Sequence, residues 1–279
     1  MNVTSNGTMI HAVSTFFEGI DERNWTKMRL ALAEDVVLDS SRVGRSEHQL
    51  TADQLVSMSR TATGGFQSTC HHFGNCLLYQ TDTRGEAEFD MVTLHYLPLP
   101  SGGDVWTLFR KINTRLLLNE DGRWVITHIQ TNFEQAAGNL EIPVLAQKGG
   151  REHPSAVPGI NEHVIKHFFT AITEQHEENF QSLWADEGQW RIYCSSPDND
   201  REITGMDSIM AHFRRLSAVY TLRFIFSRHC IDTANPDISI MPYETIIQSA
   251  DGAKSGSVSA IVFYFRDGLI RSVEEYNAG

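Results

Sequence analysis

Apolar side chains recur with helical spacing near the start of the chain and again in its second half. One helical face collects five of them early on, namely Ile10, Val13, Phe16, Phe17 and Ile20. The same stripe returns at Val164, Phe168 and Ile172. Shorter helices are predicted to follow over 25–32, 52–61, 178–184 and 206–216. Each half therefore begins with helices that must bury one face.

Further along each half, the pattern changes to the alternation typical of strands. One predicted face carries Ala87, Phe89, Met91, Thr93 and His95. Strands are predicted over 86–96, 105–113 and 124–133, and then over 222–229, 238–249, 257–265 and 270–276. Helices followed by a run of antiparallel strands indicate the α+β class, with the helices on one face of a curved sheet.

The two halves also share short sequences. Phe16-Phe17 returns as Phe168-Phe169, and Asp121-Gly122 returns as Asp267-Gly268 before the last strand of each half. An offset of about 150 residues indicates duplication of one unit and not a short-period solenoid. Between the halves, 148–159 is rich in Gly and Pro, which favours a linker. We therefore expect domains over 1–147 and 160–279.

Two motifs of the first half resemble a known superfamily. Ile20-Asp21-Glu22-Arg23-Asn24-Trp25 resembles the turn that ends the first helix of scytalone dehydratase-like proteins, and Thr69-Cys70-His71-His72-Phe73-Gly74-Asn75 resembles one of their strands. The second half ends in Asp267-Gly268-Leu269-Ile270 and Glu275-Tyr276-Asn277, which resembles the phenazine-biosynthesis and SnoaL-type branch. The resemblance implies two cone-shaped domains of the NTF2-like (cystatin-like) fold. Each cone would admit a small, mostly apolar molecule.

Within the first half, the resemblance implies that Asp21 orients His71 as an acid–base pair. Histidine, with an ordinary pKa of about 6.5, can take and return a proton near neutral pH. A carboxylate bound to one ring nitrogen would fix the tautomer. The alternative is that Asp21 only caps a turn and that His71 is a core histidine.

Adjacent histidines on a strand point to opposite faces, so only one of His71 and His72 can enter the cone. His71 shares its face with Thr69, Phe73, Asn75 and Leu77, a mainly apolar set that fits the motif. The opposite orientations make joint ligation of a metal ion unlikely, and no third ligand stands at a suitable spacing. We predict no metal site.

Three further residues of the first half are candidates for substrate binding. His95 is either a second pocket group or a strand-end residue touching solvent. Asp39 is either a pocket residue or an ordinary strand-end carboxylate. Asn132, in alternation with Trp124, Ile126, His128 and Gln130, could donate a hydrogen bond to a substrate oxygen.

The second half offers different polar residues. Glu244 alternates with Ile238, Ile240 and Ile246. A carboxylate in such apolar surroundings is either paired with another group or has a strongly perturbed pKa. Glu275 is a candidate general acid by resemblance, although the sequence leaves open whether Glu275 or Glu274 turns inward. Thr173-Glu174-Gln175 stands where Asp21 would fall, so either the two halves differ in chemistry or one half has lost it.

Charge and composition limit the kinds of molecule that the protein is expected to bind. The 279 residues carry a formal net charge of −12, which disfavours nucleic acids and anionic membranes. The four cysteines are scattered, as expected of reduced thiols, and there is no apolar leader or span. These features predict a cytoplasmic protein that binds neither nucleic acid nor membrane.

Two functions remain open. Because the phosphate-binding glycine motifs and the nucleophile elbow are absent, nucleotide cofactors and serine-hydrolase chemistry lose support. The first hypothesis is a cofactor-free enzyme that dehydrates, isomerises or cyclises a small hydrophobic or aromatic, oxygen-bearing metabolite. The second is a non-catalytic ligand-binding or dimerisation protein. Tandem units could form an internal pseudo-dimer, and the chain could further form a homodimer.

Overall fold

The structure is a computed structural model that describes residues 3–99, 103–148, 161–195, 199–226, 231–233, 235, 237–249 and 254–278. The chain divides into two compact units, Met1–Glu152 and His153–Gly279, called unit 1 and unit 2 below. The predicted linker over 148–159 lies outside the described residues, except for Lys148.

Unit 1 begins with two helices, and two further helices follow among and after its strands. Its elements are α1 (Val3–Asp21), α2 (Trp25–Leu30), β1 (Leu32–Asp39), β2 (Glu47–Thr51), α3 (Ala52–Thr63), β3 (Ser68–Gln80), β4 (Arg84–Tyr96), β5 (Val105–Leu118), β6 (Trp124–Gly138) and α4 (Ile142–Lys148). A single turn of 3-10 helix, Ser41–Val43, separates β1 from β2.

Unit 2 repeats this order with one additional short strand and without a counterpart of α4 among the described residues. Its elements are α5 (Glu162–Glu174), α6 (Glu177–Ser182), β7 (Trp184–Cys194), β8 (Arg201–Thr204), α7 (Met206–Val219), β9 (Tyr220–Ile225), β10 (Ile231–Asp232), β11 (Ile238–Ser249), β12 (Lys254–Arg266) and β13 (Leu269–Ala278). The strand predicted over 222–229 ends earlier than expected, and 227–229 lie outside the described residues.

The two sheets have the same strand order. In unit 1 it is β2-β1-β6-β5-β4-β3, and in unit 2 it is β8-β7-β13-β12-β11, with both β9 and β10 paired to β11. In both units the first strand runs parallel to the last, and every other pairing is antiparallel. The predicted α+β class and the tandem architecture are confirmed.

The apolar stripe of α1 packs on the sheet and forms the core of unit 1. Val13, Phe16, Phe17 and Ile20 are all buried in one cluster with side chains of β4 and β6. The equivalent stripe of α5 buries Val164, Phe168 and Ile172 in the core of unit 2. Burial of these side chains supplies most of the favourable free energy that holds the helices on the sheets. No helix among the described residues has the length and apolar character that crossing a membrane requires.

Bulges interrupt the alternation of β3 and β6 in three places, and each one moves side chains to the opposite face. In β3, the register shifts between Gly74 and Leu77, with Asn75 in the left-handed region at φ +54°. Asn75 and Leu77 are therefore exposed, and the prediction that they share the face of His71 is wrong. In β6, shifts opposite Arg115/Leu116 and Lys111/Ile112 insert one extra residue each.

One glycine determines how closely α1 approaches α2. A Cβ atom at Gly19 would lie 2.5 Å from the backbone nitrogen of Met28 and 2.7 Å from its Cα atom. Since both contacts are with backbone, no side chain can move to relieve them. Gly19 stands two residues before the end of α1, so this contact also fixes where α1 ends.

We predict that Gly19→Val destabilises unit 1 by about 1–3 kcal/mol, because the added carbons force the two helices apart. Urea unfolding of wild type and variant measures the difference. His11→Ala, at an exposed position of the same helix, is the control and should change stability little. Equal midpoints for Gly19→Val and wild type would contradict the close approach.

Candidate functional site

The turn between α1 and α2 places Asp21 against the sheet. Asp21 is the last residue of α1, and Arg23 follows in the left-handed region at φ +54°. The side chain of Asn24 then accepts a hydrogen bond from the backbone nitrogen of Lys27 at 3.0 Å, which caps α2. The guanidinium of Arg23 donates to the carbonyl oxygens of Phe66 and Gln67, just before β3. Both ends of the turn are therefore tied down.

The Asp21 carboxylate joins the end of α1 to β3. Its Oδ1 lies 2.6 Å from Nδ1 of His71 and accepts from the hydroxyl of Thr69 at 3.0 Å. Its Oδ2 accepts from the backbone nitrogen of His71 at 2.9 Å. Both side chains are 7% exposed. The predicted contact between Asp21 and His71 exists, and it leaves Nε2 as the nitrogen of His71 that is not engaged with Asp21.

His71 lies in the wall of a cavity of about 400 Å³ between the helices and the sheet. One side of its ring stacks on Phe17, with centroids 5.1 Å apart and planes at 26°. The rest of the wall is mostly apolar and includes Phe16, Leu38, Leu55, Met91, Ile112 and Ile129. A buried imidazole in the wall of an apolar cavity is an arrangement that allows acid–base chemistry on a small molecule.

His95 also lines this cavity, as one of the two alternatives predicted. Its ring lies 4.7 Å from that of Phe66, 4.4 Å from that of Trp106 and 6.4 Å from that of His71. Burial, with smaller effects from His71 and Arg110, holds its pKa well below the ordinary value. Nδ1 faces the carbonyl oxygen of Trp106 at 3.4 Å. His95 is thus a neutral ring whose Nδ1–H donates to that carbonyl, which makes Nε2 an acceptor.

An ion cluster in the same wall was not among the residues predicted from the sequence. Nε of Arg110 donates to Oε2 of Glu134 at 2.9 Å, and the Arg45 guanidinium binds the other oxygen of that carboxylate. Although burial alone would raise the pKa of Glu134, the two arginines lower it below its ordinary value. Arg110 alternates with Ile112 and Trp106 on β5, and this charge on an inward face is the signal that sequence inspection could have used.

Asp39 and Asn132 are not among the residues that line the cavity. Asp39 accepts from the backbone nitrogen of Ser41 at 2.8 Å and from the side chain of Gln130 at 2.5 Å. Hydrogen bonds from the side chain of Ser41, from its backbone and from Gln130 lower the pKa of Asp39 to about 2. Asn132 is the extra residue of a bulge in β6, so the inward positions there are Ile129, Thr131 and Glu134. Because of the two bulges, Trp124, Ile126, His128, Gln130 and Asn132 do not all lie on one face of β6 as predicted.

In unit 2, Glu275 is the inward carboxylate and Glu274 lies on the other face. Glu275 accepts from the hydroxyl of Tyr243 at 2.7 Å and from Nε1 of Trp190 at 3.0 Å, inside the core. Burial raises its pKa, although these hydrogen bonds oppose the shift. Glu274 instead binds Arg191 at 3.2 Å. The choice that the sequence left open is thus decided by the core contacts of Glu275.

The pairing registers identify which unit 2 residues replace the acid–base pair. His71 pairs with Thr93 of the next strand, and Phe224 pairs with the equivalent Thr245. Counting back from the left-handed residues Arg23 and Gln175, the equivalent of Asp21 is Thr173. Unit 2 therefore lacks both members of the pair, as the sequence indicated.

Glu244 is half-buried on β11, and burial raises its pKa. It is not among the residues lining a cavity of about 650 Å³ in unit 2. Neither is Glu275. These two carboxylates are thus separate from that cavity. Within the described residues, no three side chains of His, Cys, Asp or Glu come together as a group that could hold a metal ion.

Residues 4–130 match the family described as the SnoaL-like domain. This match covers most of unit 1, which is similar to the SnoaL-like domain. Unit 2 has the same element and strand order, and the NTF2-like fold predicted for both halves is confirmed. A search of the curated proteins finds no match to the sequence.

Three solved structures are similar in fold. The Kfla4162 protein of Kribbella flavida is 16% identical and matches 50% of this chain and 97% of its own, with a TM-score of 0.46. A putative scytalone dehydratase of Novosphingobium aromaticivorans is 12% identical over 48% and 88% of the two chains, with a TM-score of 0.41. RV0760c of Mycobacterium tuberculosis, solved with estradiol-17beta-hemisuccinate, is 16% identical over 40% and 89%, with a TM-score of 0.37.

We predict that Asp21→Asn lowers the unfolding free energy by about 1–3 kcal/mol. An amide cannot accept from Thr69, the His71 backbone and the His71 ring together, because one of its two positions is itself a donor. Urea unfolding measures the loss. Asp53→Asn, an exposed carboxylate in the first turn of α3, is the matched control and should have a smaller effect. Equal losses for the two variants would contradict a structural role for Asp21.

A second prediction concerns pH. Because the pKa of Glu275 is raised in the folded state, its contribution to stability is complete below the unfolded pKa of about 4.3 and is lost as the pH rises through the folded value. From pH 4 toward neutral, the stability of wild type should therefore fall relative to that of Glu275→Gln. Unfolding at a series of pH values tests this, with the exposed Glu187→Gln as the control. A difference that does not change with pH would refute it.

Proposed function

We propose that unit 1 is a cofactor-independent proton-transfer enzyme of the dehydratase, isomerase or cyclase type. The observation that supports this most is the Asp21–His71 pair, buried in the wall of an apolar cavity with the Asp21 oxygen 2.6 Å from Nδ1. With Nδ1 held, Nε2 is the atom that would take a proton from the ligand and return it. Asp21 would then stabilise the imidazolium that forms.

The proposed ligand is a small hydrophobic or aromatic molecule that carries oxygen. The cavity of about 400 Å³ suits a molecule of one or two rings, and its phenylalanine, leucine and methionine side chains favour an apolar body. His95 would accept a hydrogen bond from a ligand hydroxyl through Nε2. Its depressed pKa keeps this ring neutral near pH 7, so His95 is proposed as a binding group and His71 as the base.

Exchange of carbon-bound protons offers a test that does not need the natural substrate. 2-Tetralone is a two-ring ketone with acidic protons beside its carbonyl group, and their replacement by deuterium in D2O is followed by NMR. We expect wild type to accelerate this exchange and His71→Ala to lose about a hundredfold or more of the acceleration, since general-base catalysis contributes on that scale. Asp21→Asn should lose part of it.

His128→Ala is the matched control, because His128 lies on β6 of the same unit but does not line the cavity. It should leave exchange unchanged. Acceleration that survives in His71→Ala would sink the assignment of His71 as the base.

A ligand-binding protein without catalysis is the second candidate. It is favoured by unit 2, where the same fold in the same chain is built with Thr173 and Phe224 in place of the acid–base pair. Wild type that binds 2-tetralone, measured by calorimetry, but exchanges its protons no faster than buffer would support this second function over the first.

A further inference from the structure

We propose that the ligand of the unit 1 cavity carries an anionic group, best fitted by a carboxylate, and that Arg110 and Arg45 bind it. This inference rests on the proposed function, because it names the substrate class of the same cavity. It concerns recognition alone and adds no chemical step. The three charged side chains that carry it are Arg45, Arg110 and Glu134, called the arginine cluster below.

The arginine cluster has an excess of positive charge. Two guanidinium groups share the single carboxylate of Glu134, with Arg110 on Oε2 and Arg45 on both oxygens. Arginine stays protonated in proteins, and Glu134 is ionised because its pKa is lowered. The cluster therefore has a formal charge of +1, in a cavity whose wall is otherwise mostly apolar.

Arg110 has donors to spare. Its side chain is 21% exposed, and within the part of the chain that the structure describes, the hydrogen bond from Nε to Glu134 is the one that its guanidinium makes. The two terminal nitrogens are left for a ligand. A planar guanidinium matches the two oxygens of a carboxylate, and such charge-assisted pairs are the stronger hydrogen bonds.

The cluster also suggests how the ligand lies. Arg45 lines the cavity and is 60% exposed, so the arginine cluster is in contact with solvent. His71 lines the same cavity but is only 7% exposed, held by Asp21 at the end of α1 and stacked on Phe17. An acid bound at the arginine cluster would therefore point its apolar body toward the imidazole that is proposed to act on it.

Unit 2 shows that the fold does not need these charges. In unit 1, Arg110 pairs with Glu134 across β5 and β6, and in unit 2 the equivalent partners are Ser259 and Asn277. Their side chains form a neutral hydrogen bond of 2.6 Å. Since removing arginine from water is costly, a neutral pair would be the cheaper solution for stability alone. Its replacement by charged residues beside a cavity points to binding.

A pair of probes of nearly equal shape tests the proposal. 2-Naphthoate carries the anion and 2-naphthamide does not, and calorimetry near pH 7 gives the affinity of each for the full-length protein. We expect wild type to bind naphthoate about tenfold or more tightly than naphthamide. Arg110→Met should abolish this preference while naphthamide binding persists.

Two further variants keep the test decisive if Arg110→Met folds poorly. Arg45→Met alters an exposed residue and should weaken naphthoate binding severalfold, with naphthamide binding unchanged. Arg115→Met removes an exposed arginine from β5, the strand of Arg110, and should leave the affinities for naphthoate and naphthamide unchanged. Wild type without a preference for naphthoate, or a preference that survives in both Arg110→Met and Arg45→Met, would overturn the proposal.

His71→Ala separates this inference from the proposed function. We expect it to keep the preference for naphthoate while losing proton exchange on 2-tetralone. If His71→Ala abolishes the preference and the arginine variants keep it, the anion site is refuted while the role of His71 as a base stands. If the preference follows the arginines but His71→Ala exchanges protons as wild type does, the base is refuted and the anion site stands.

Discussion

The carboxylate of Asp21 is the constraint on which the site in unit 1 depends. It accepts from the Thr69 hydroxyl and from both the backbone and the ring of His71, so it bonds one helix end to two inward positions of β3. A buried carboxylate is stable only with such donors around it, and these donors would be unsatisfied without it. Helix α1 must therefore end beside Thr69 and His71 of β3. The close contact of Gly19 with Met28 and the turn at Arg23 hold the end of α1 in that position.

Most of the fold could be predicted because its signals are local. The stripe from Val13 to Ile20 and the alternation of β4 are set by side chains that are close in the chain. Both patterns recur in unit 2, which gave independent support for the same fold. The bulges were not visible. A residue such as Asn132 is extra only in relation to the partner strand, so its face depends on β5 as much as on β6.

The residues of the candidate sites also divide into those that the sequence predicted and those that it did not. Asp21 and His71 stand in short motifs, and the bond between them follows from the resemblance. Arg110 and Glu134 stand in no motif, and charged residues on strands usually face solvent. The alternation of Arg110 with Ile112 and Trp106 was a signal for its face, but nothing comparable placed Glu134 in the same wall. Their pairing follows from the register of β5 with β6, which is shifted by a bulge one step away. Glu275 was a candidate from the sequence, but its inward direction needed the positions of Trp190 and Tyr243.

The correspondence of Arg110–Glu134 with Ser259–Asn277 bears on how the two units diverged. Opposite positions of neighbouring strands are filled together, by an ion pair in one copy and by a neutral hydrogen bond in the other. A change at one position alone removes one partner of the hydrogen bond, so the two positions are coupled through the pairing of the last two strands. At this site, covariation between the facing strands should therefore record the divergence of the units better than conservation of either position alone.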